Sequence, residues 1–102
     1  MTQITNTLSG FKQLLESAQV NGCYMKITIL DRCGNVLREN EPAPVGKVQS
    51  NCFALDRNGQ LSYVEFGKAS NWEFNLHHGK ATKLNPNGNM IIEFKEPSFF
   101  GL

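Results

Sequence analysis

Glycine, placed three times within a near-identical polar cluster, constrains this chain more than any other feature. The stretches are LDRCGNV at 30–36, LDRNGQL at 55–61 and LNPNGNM at 84–90. Each lies between two runs that alternate apolar and polar residues, so each reads as a hairpin turn. Asp31, Asp56 and Asn85 sit where a side chain accepts a local backbone hydrogen bond. Pro86 presets φ at its own position, and Gly34, Gly59 and Gly88 take positive φ at little steric cost. All three copies are expected to be type I turns followed by a left-handed residue, the G1-bulge arrangement. They are not units of a solenoid, because the sequence between them does not match.

Ahead of the turns lies one helical pattern. Ile4, Leu8, Phe11, Leu15 and Ala18 recur at spacings of three and four, with Leu14 widening the stripe. Lys12, Gln13, Glu16 and Gln19 fall on the opposite side. Thr5 or Asn6 is expected to cap the start, and Asn21-Gly22 supplies the left-handed residue that ends a helix. A helix over about 5–20 is predicted on this pattern.

Alternation then takes over. Cys23, Met25, Ile27 and Ile29 share one face, as do Trp72, Phe74 and Leu76, and Met90, Ile92 and Phe94. Runs at 48–55 and 61–66 are strand-like but mixed, and 36–40 and 80–84 are shorter candidates. Residues 41–46, 67–71 and 78–79 read as connections. Consecutive strands joined by short loops are antiparallel neighbours. The expected fold is therefore α+β: one N-terminal helix packed on a curved antiparallel meander of about seven strands. One domain is expected over 1–102, with the sheet over about 23–96 and a short apolar tail at 97–102.

Composition removes several function classes. Ten basic residues against nine acidic ones give a formal net charge of +1. That balance supplies no field for nucleic acid, and no nucleic-acid partner is expected. No apolar run approaches a membrane span, so no membrane partner is expected either. The N-terminus has no secretory pattern, and Cys23, Cys33 and Cys52 form neither a CxxC pair nor a zinc ribbon. Three thiols without a secretion signal fit a reducing cytoplasm. No cofactor and no metal are expected. His77 and His78 are adjacent, and neighbours on a strand point to opposite faces. The glycine turns lack the alternating oxygen ligands and terminal Glu of a calcium loop.

Three functional readings remain. The first is a non-enzymatic protein-interaction module that forms homo-oligomers. Its expected contact residues are Phe53, Leu55 and Ile91 on an uncovered sheet face, with Phe99, Phe100 and Leu102 in the tail. The second is a small-ligand carrier with an apolar pocket between helix and sheet, lined by Phe11, Tyr63, Trp72 and Phe74. The third is a small enzyme using Cys52 or His78, although no catalytic motif surrounds either residue. At the level of architecture, one helix followed by seven antiparallel strands resembles the mitochondrial matrix glycoprotein family, whose members oligomerise and bind varied proteins. No motif carries that resemblance, and it transfers no residue.

Cys33 stands where the other two turns carry Asn58 and Asn87. An exposed turn predicts that Cys33 reacts with a thiol reagent before Cys23 and Cys52. Slower labelling of Cys33 than of either would contradict the turn.

Overall fold

A computed structural model of the chain describes residues 5–94. Helix α1 (Leu8–Asn21) is followed by β1 (Tyr24–Leu30), β2 (Val36–Glu39), β3 (Ala43–Val48), β4 (Cys52–Arg57) and β5 (Gln60–Glu65). Then come β6 (Trp72–Asn75), β7 (Lys80–Lys83) and β8 (Met90–Phe94), with short 3-10 turns at Ala69–Asn71 and Leu76–His78. The architecture is one helix against an eight-strand antiparallel sheet, one strand more than expected.

Thr7 caps the helix, its hydroxyl accepting from the Gly10 N–H at 3.1 Å. Asn6, expected as a cap, is used differently: its side-chain oxygen accepts the Leu76 N–H at 2.9 Å. That bond ties the start of α1 to the end of β6. The helix stops as expected at Gly22, whose φ is 72°. Gln19 donates to the Gly46 carbonyl at 3.0 Å and Lys12 to the Ser50 carbonyl at 2.8 Å, so the helix is also fastened along β3 and the turn after it.

The sheet runs β5-β4-β3-β1-β8-β7-β6, with β2 also paired to β1. Two meanders, β1 to β5 and β6 to β8, are joined where β1 meets β8. Residues Met25 to Ile29 of β1 pair with β8 along one edge. Its other edge is shared, with β2 taking Thr28 to Leu30 and β3 taking Tyr24 and Met25. The outer strands β5 and β6 are consecutive in sequence, so the sheet must curl for a short link to join them. Lys83 Nζ reaches the Glu65 carbonyl at 2.6 Å and Trp72 Nε1 the Phe66 carbonyl at 2.6 Å. No ladder joins β5 to β6, and the sheet stays open.

The additional strand is β3. Pro42, Pro44 and Gly46 predicted a loop there, since proline gives no N–H and glycine weakens a strand. The chain does extend through them, in a broken ladder. β3 holds β1 through only the pairs Tyr24 with Pro44 and Met25 with Ala43. A register shift between Val45 and Lys47 then bends it onto β4. The expected strand at 48–55 is accordingly split by a turn at 49–51. The strand expected to run through His77 ends at Asn75 and passes into a 3-10 turn.

The three glycine turns do connect strands, but not all in the same way. In the first, Asp31 Oδ1 accepts the N–H groups of Cys33 and Asn35, each at 2.9 Å. In the second, Arg57 pairs directly with Gln60. Its two central residues, Asn58 (φ 58°) and Gly59 (φ 91°), are both left-handed, which is the type I′ pattern rather than the expected bulged turn. In the third, the backbone of Leu30 and Asp31 lies so close to Gly88 that a Cβ there would collide with the Leu30 carbonyl. The first and third turns thus pack side by side at one end of the sheet.

The core lies between α1 and the concave face. Phe11 is its centre, with ring centroids 5.2 Å from Trp72, 5.6 Å from Phe74, 5.8 Å from Phe53, 6.2 Å from Phe66 and 6.3 Å from Phe94. Leu14, Leu15 and Ala18 complete the buried face of the helix. Truncation of a fully buried aromatic costs about 3–5 kcal/mol. Phe11→Ala is predicted to lose stability in that range in urea unfolding; a loss below about 1 kcal/mol would contradict a central role for this ring.

Candidate functional site

The residues expected to line a ligand pocket do not form one. Phe11, Trp72 and Phe74 come together, but they pack on one another, and Trp72 and Phe74 stack at 5.6 Å. Tyr63 lies on the opposite, outer face and is exposed. The expected contact face is corrected as well. Phe53 and Leu55 are fully buried, pairing with Val48 and Val45 and facing α1. The turn at 49–51 sets that alternation, and the mixed run KVQSNCFAL did not reveal it. Ile91 is half-buried on the outer face beside Thr28 and Thr82. Phe99, Phe100 and Leu102 lie outside the described residues.

Neither candidate nucleophile site gains a second catalytic group. Cys52 Sγ donates to the Gln49 side-chain oxygen at 3.0 Å, and an amide is no base. His78 is exposed in the turn before Gly79. Among the described residues, no group of three His, Cys, Asp or Glu side chains has the arrangement to hold a metal ion. No helix there is long and apolar enough to cross a membrane.

The outer face of the sheet is a charge ladder. Lys26 Nζ lies 3.1 Å from Glu39, Lys26 and Glu93 are register partners, and Lys80 Nζ lies 4.0 Å from Glu93. Exposed pairs of this kind contribute little to stability, about 0–1 kcal/mol each, but they keep a sheet face solvated. Among the described residues, the exposed large apolar side chains are Val20, Tyr24, Val36, Leu37 and Tyr63. Only Val36 and Leu37 are neighbours in sequence.

Val36 and Leu37 belong to β2, all four of whose residues are exposed. Asn40 N–H donates to the Ile27 carbonyl at 3.0 Å, and Arg38 pairs with Ile29. Backbone polar groups alternate along a regular ladder, so those of Arg38 and Asn40 face β1 while those of Glu39 face away; at Leu37 the ladder shifts register, Ile29 pairing with Arg38 but Leu30 with Val36. The same alternation carries the Glu41 carbonyl outward, where Arg57 Nη1 donates to it at 2.8 Å. Beyond β1, β2 has no strand partner among the described residues. It is a free edge with apolar side chains, a feature that soluble sheets normally shield.

Two clefts open at the end of this edge. One, of about 360 Å³, is lined by Tyr24, Glu41, Pro44, Asp56 and Arg57 among others. The smaller, of about 230 Å³, lies between Lys26, Glu39 and Glu41. Arg57 Nη2 is buried in the wall without a hydrogen-bond partner. Asp56 Oδ1 accepts the Gly59 N–H at 2.7 Å and so shapes the hairpin tip beside the larger cleft. Sequence reasoning missed this region. The signals it held were the exposed pair Val36-Leu37 in a very short strand and the two prolines where the chain bends.

Comparison with protein-family models, with curated proteins and with solved structures gives no match for the chain.

The turn that leads into β2 is held by charge. The Asp31 carboxyl titrates below its ordinary range, chiefly because the backbone N–H of Asn35 bonds its ionised form. The Asn35 side chain and the N–H groups of Cys33 and Gly34 act in the same direction, against a smaller opposing effect of burial. A carboxyl whose folded pKa lies below its unfolded pKa contributes stability above the ordinary range, and that contribution is lost as pH falls through the folded value. A carboxyl NMR titration should therefore place Asp31 lower in the folded chain than in the urea-unfolded chain. An equal or higher midpoint would contradict the turn geometry.

Proposed function

We propose that this chain is a non-enzymatic protein-interaction module that receives an extended segment along the free edge of β2. The observation that carries the reading is β2 itself: a strand paired on one side, exposed throughout, with Leu37 66% and Val36 59% accessible. Strand addition draws affinity from backbone hydrogen bonds and specificity from alternate side chains. The outward groups of Glu39 supply the first, and the apolar pair beside a charged cleft supplies the second. The rest of the fold supports the reading indirectly, since the core is filled by its own rings. A cytoplasmic setting belongs to the same proposal, and the free thiols of Cys33 and Cys52 fit it.

The test is selection of extended peptides from a displayed library, followed by amide chemical-shift mapping. Bound peptides should shift Val36, Leu37 and Glu39 before any residue of the core. Leu37→Lys, at an exposed position, should leave the fold intact and weaken binding about tenfold, because a charged edge resists pairing. Shifts confined to other strands, or full binding by the Leu37→Lys variant, would refute the reading.

A further inference from the structure

We propose that the Arg57 side chain guards the free edge and is displaced by the segment that pairs with it. The inference rests on the strand-addition reading above and names the regulation of that site. Past the register shift, Glu39 pairs with Thr28, the Asn40 N–H bonds the Ile27 carbonyl, and Ala43 pairs with Met25. The chain from Arg38 to Pro44 therefore follows β1 along one line. Three residues separate Glu39 from Ala43 where two separate Met25 from Thr28, so that line carries one bulge. β4 lies on the far side of the line from β1. Its pairing of Leu55 with Val45 brings Arg57, two residues on, level with Ala43. The hairpin at Asn58-Gly59 then turns back, and β4 stops where the free edge begins.

Arg57 reaches along the edge from that point, and its Nη1 donates to the Glu41 carbonyl at 2.8 Å. That carbonyl faces away from β1, on the same side as the groups of Glu39, so the guanidinium occupies an acceptor that an incoming strand needs. With Arg57 displaced, Glu39 and Glu41 offer two successive pairing positions instead of one. The contact is weakly held. Nη2 of the same guanidinium is buried without a hydrogen-bond partner. A buried donor left unpaired costs free energy of the same order as a hydrogen bond from a charged group contributes, so the two nitrogens largely offset each other. Among the described residues, no carboxylate lies within ion-pair distance of Arg57. Its neighbour Asp56 is turned to the Gly59 N–H. The cleft of about 360 Å³ beside Tyr24, Pro44 and Arg57 gives the side chain room to swing out and be rehydrated. An incoming N–H then replaces Nη1 at the Glu41 carbonyl, and Nη2 regains water. The segment must carry a residue other than proline opposite Glu41, because proline has no N–H to make the exchange.

A segment that must displace the guard binds with its intrinsic affinity reduced by the fraction of molecules in which Arg57 is already released. Arg57→Met keeps the stem and removes the guanidinium. Peptides selected on the wild-type chain should therefore bind Arg57→Met about three- to tenfold more tightly in calorimetric titration. Proline placed at the peptide residue that faces Glu41 should abolish this difference. Wild type supplies a readout that needs no substitution: guanidinium NMR should show a protected Arg57 N–H signal that is lost when peptide saturates the edge. Equal or weaker binding by Arg57→Met, or a guanidinium signal that stays protected in the saturated complex, overturns the guard and leaves strand addition standing. Peptides that bind Arg57→Met and not wild type support a guard that stays shut. If neither chain takes a peptide, strand addition and its guard fall together.

Discussion

The ring of Phe11 holds the helix to the sheet. It touches aromatic rings from β4, β6 and β8 and from the link after β5, so a single side chain of α1 is bound to both halves of the strand order. Each ring contact adds about 0.5–1.5 kcal/mol beyond the area it buries. Their joint effect is to curl the sheet until the end of β5 lies by the start of β6, where Trp72 and Lys83 bond the carbonyls of Phe66 and Glu65. The sheet curls over its own aromatics without closing, and the helix–sheet interface is spent on internal packing.

The free edge follows from a bend. Residues 36–48 would serve as one long strand beside β1, were it not for Pro42, Pro44 and the register shift at Gly46. The bend sends the second half of that strand to β4 and leaves the first half with β1 alone. β4 follows β3 and never reaches β2. An edge of this kind invites aggregation, and two features restrain it: β2 is only four residues long and ends in Arg38 and Glu39. Those restraints permit a matched partner while discouraging indiscriminate stacking.

Much of the local structure was legible in the sequence. The three-and-four spacing from Leu8 to Ala18 located the helix and its buried face, and the glycine clusters located three strand connections. What was not legible depends on long-range pairing. Prolines 42 and 44 argued against β3, because local propensity cannot register support from β1 and α1. The facing of Phe53 and Leu55 depended on a turn at 49–51 that carries no glycine or proline. The free edge needed knowledge that β8 pairs with β1, a contact between opposite ends of the chain. No local pattern records that pairing, so the sequence reading sought function on the sheet face and the tail.

Amide hydrogen exchange at β2 measures the central claim most directly. The N–H groups of Arg38 and Asn40 should be protected by β1, and that of Glu39 should exchange rapidly. Adding a peptide selected for binding should slow exchange at Glu39 and leave Arg38 unchanged. Equal protection of Glu39 and Arg38 in the free protein, or exchange at Glu39 that is indifferent to bound peptide, would contradict an open edge that receives an extended segment.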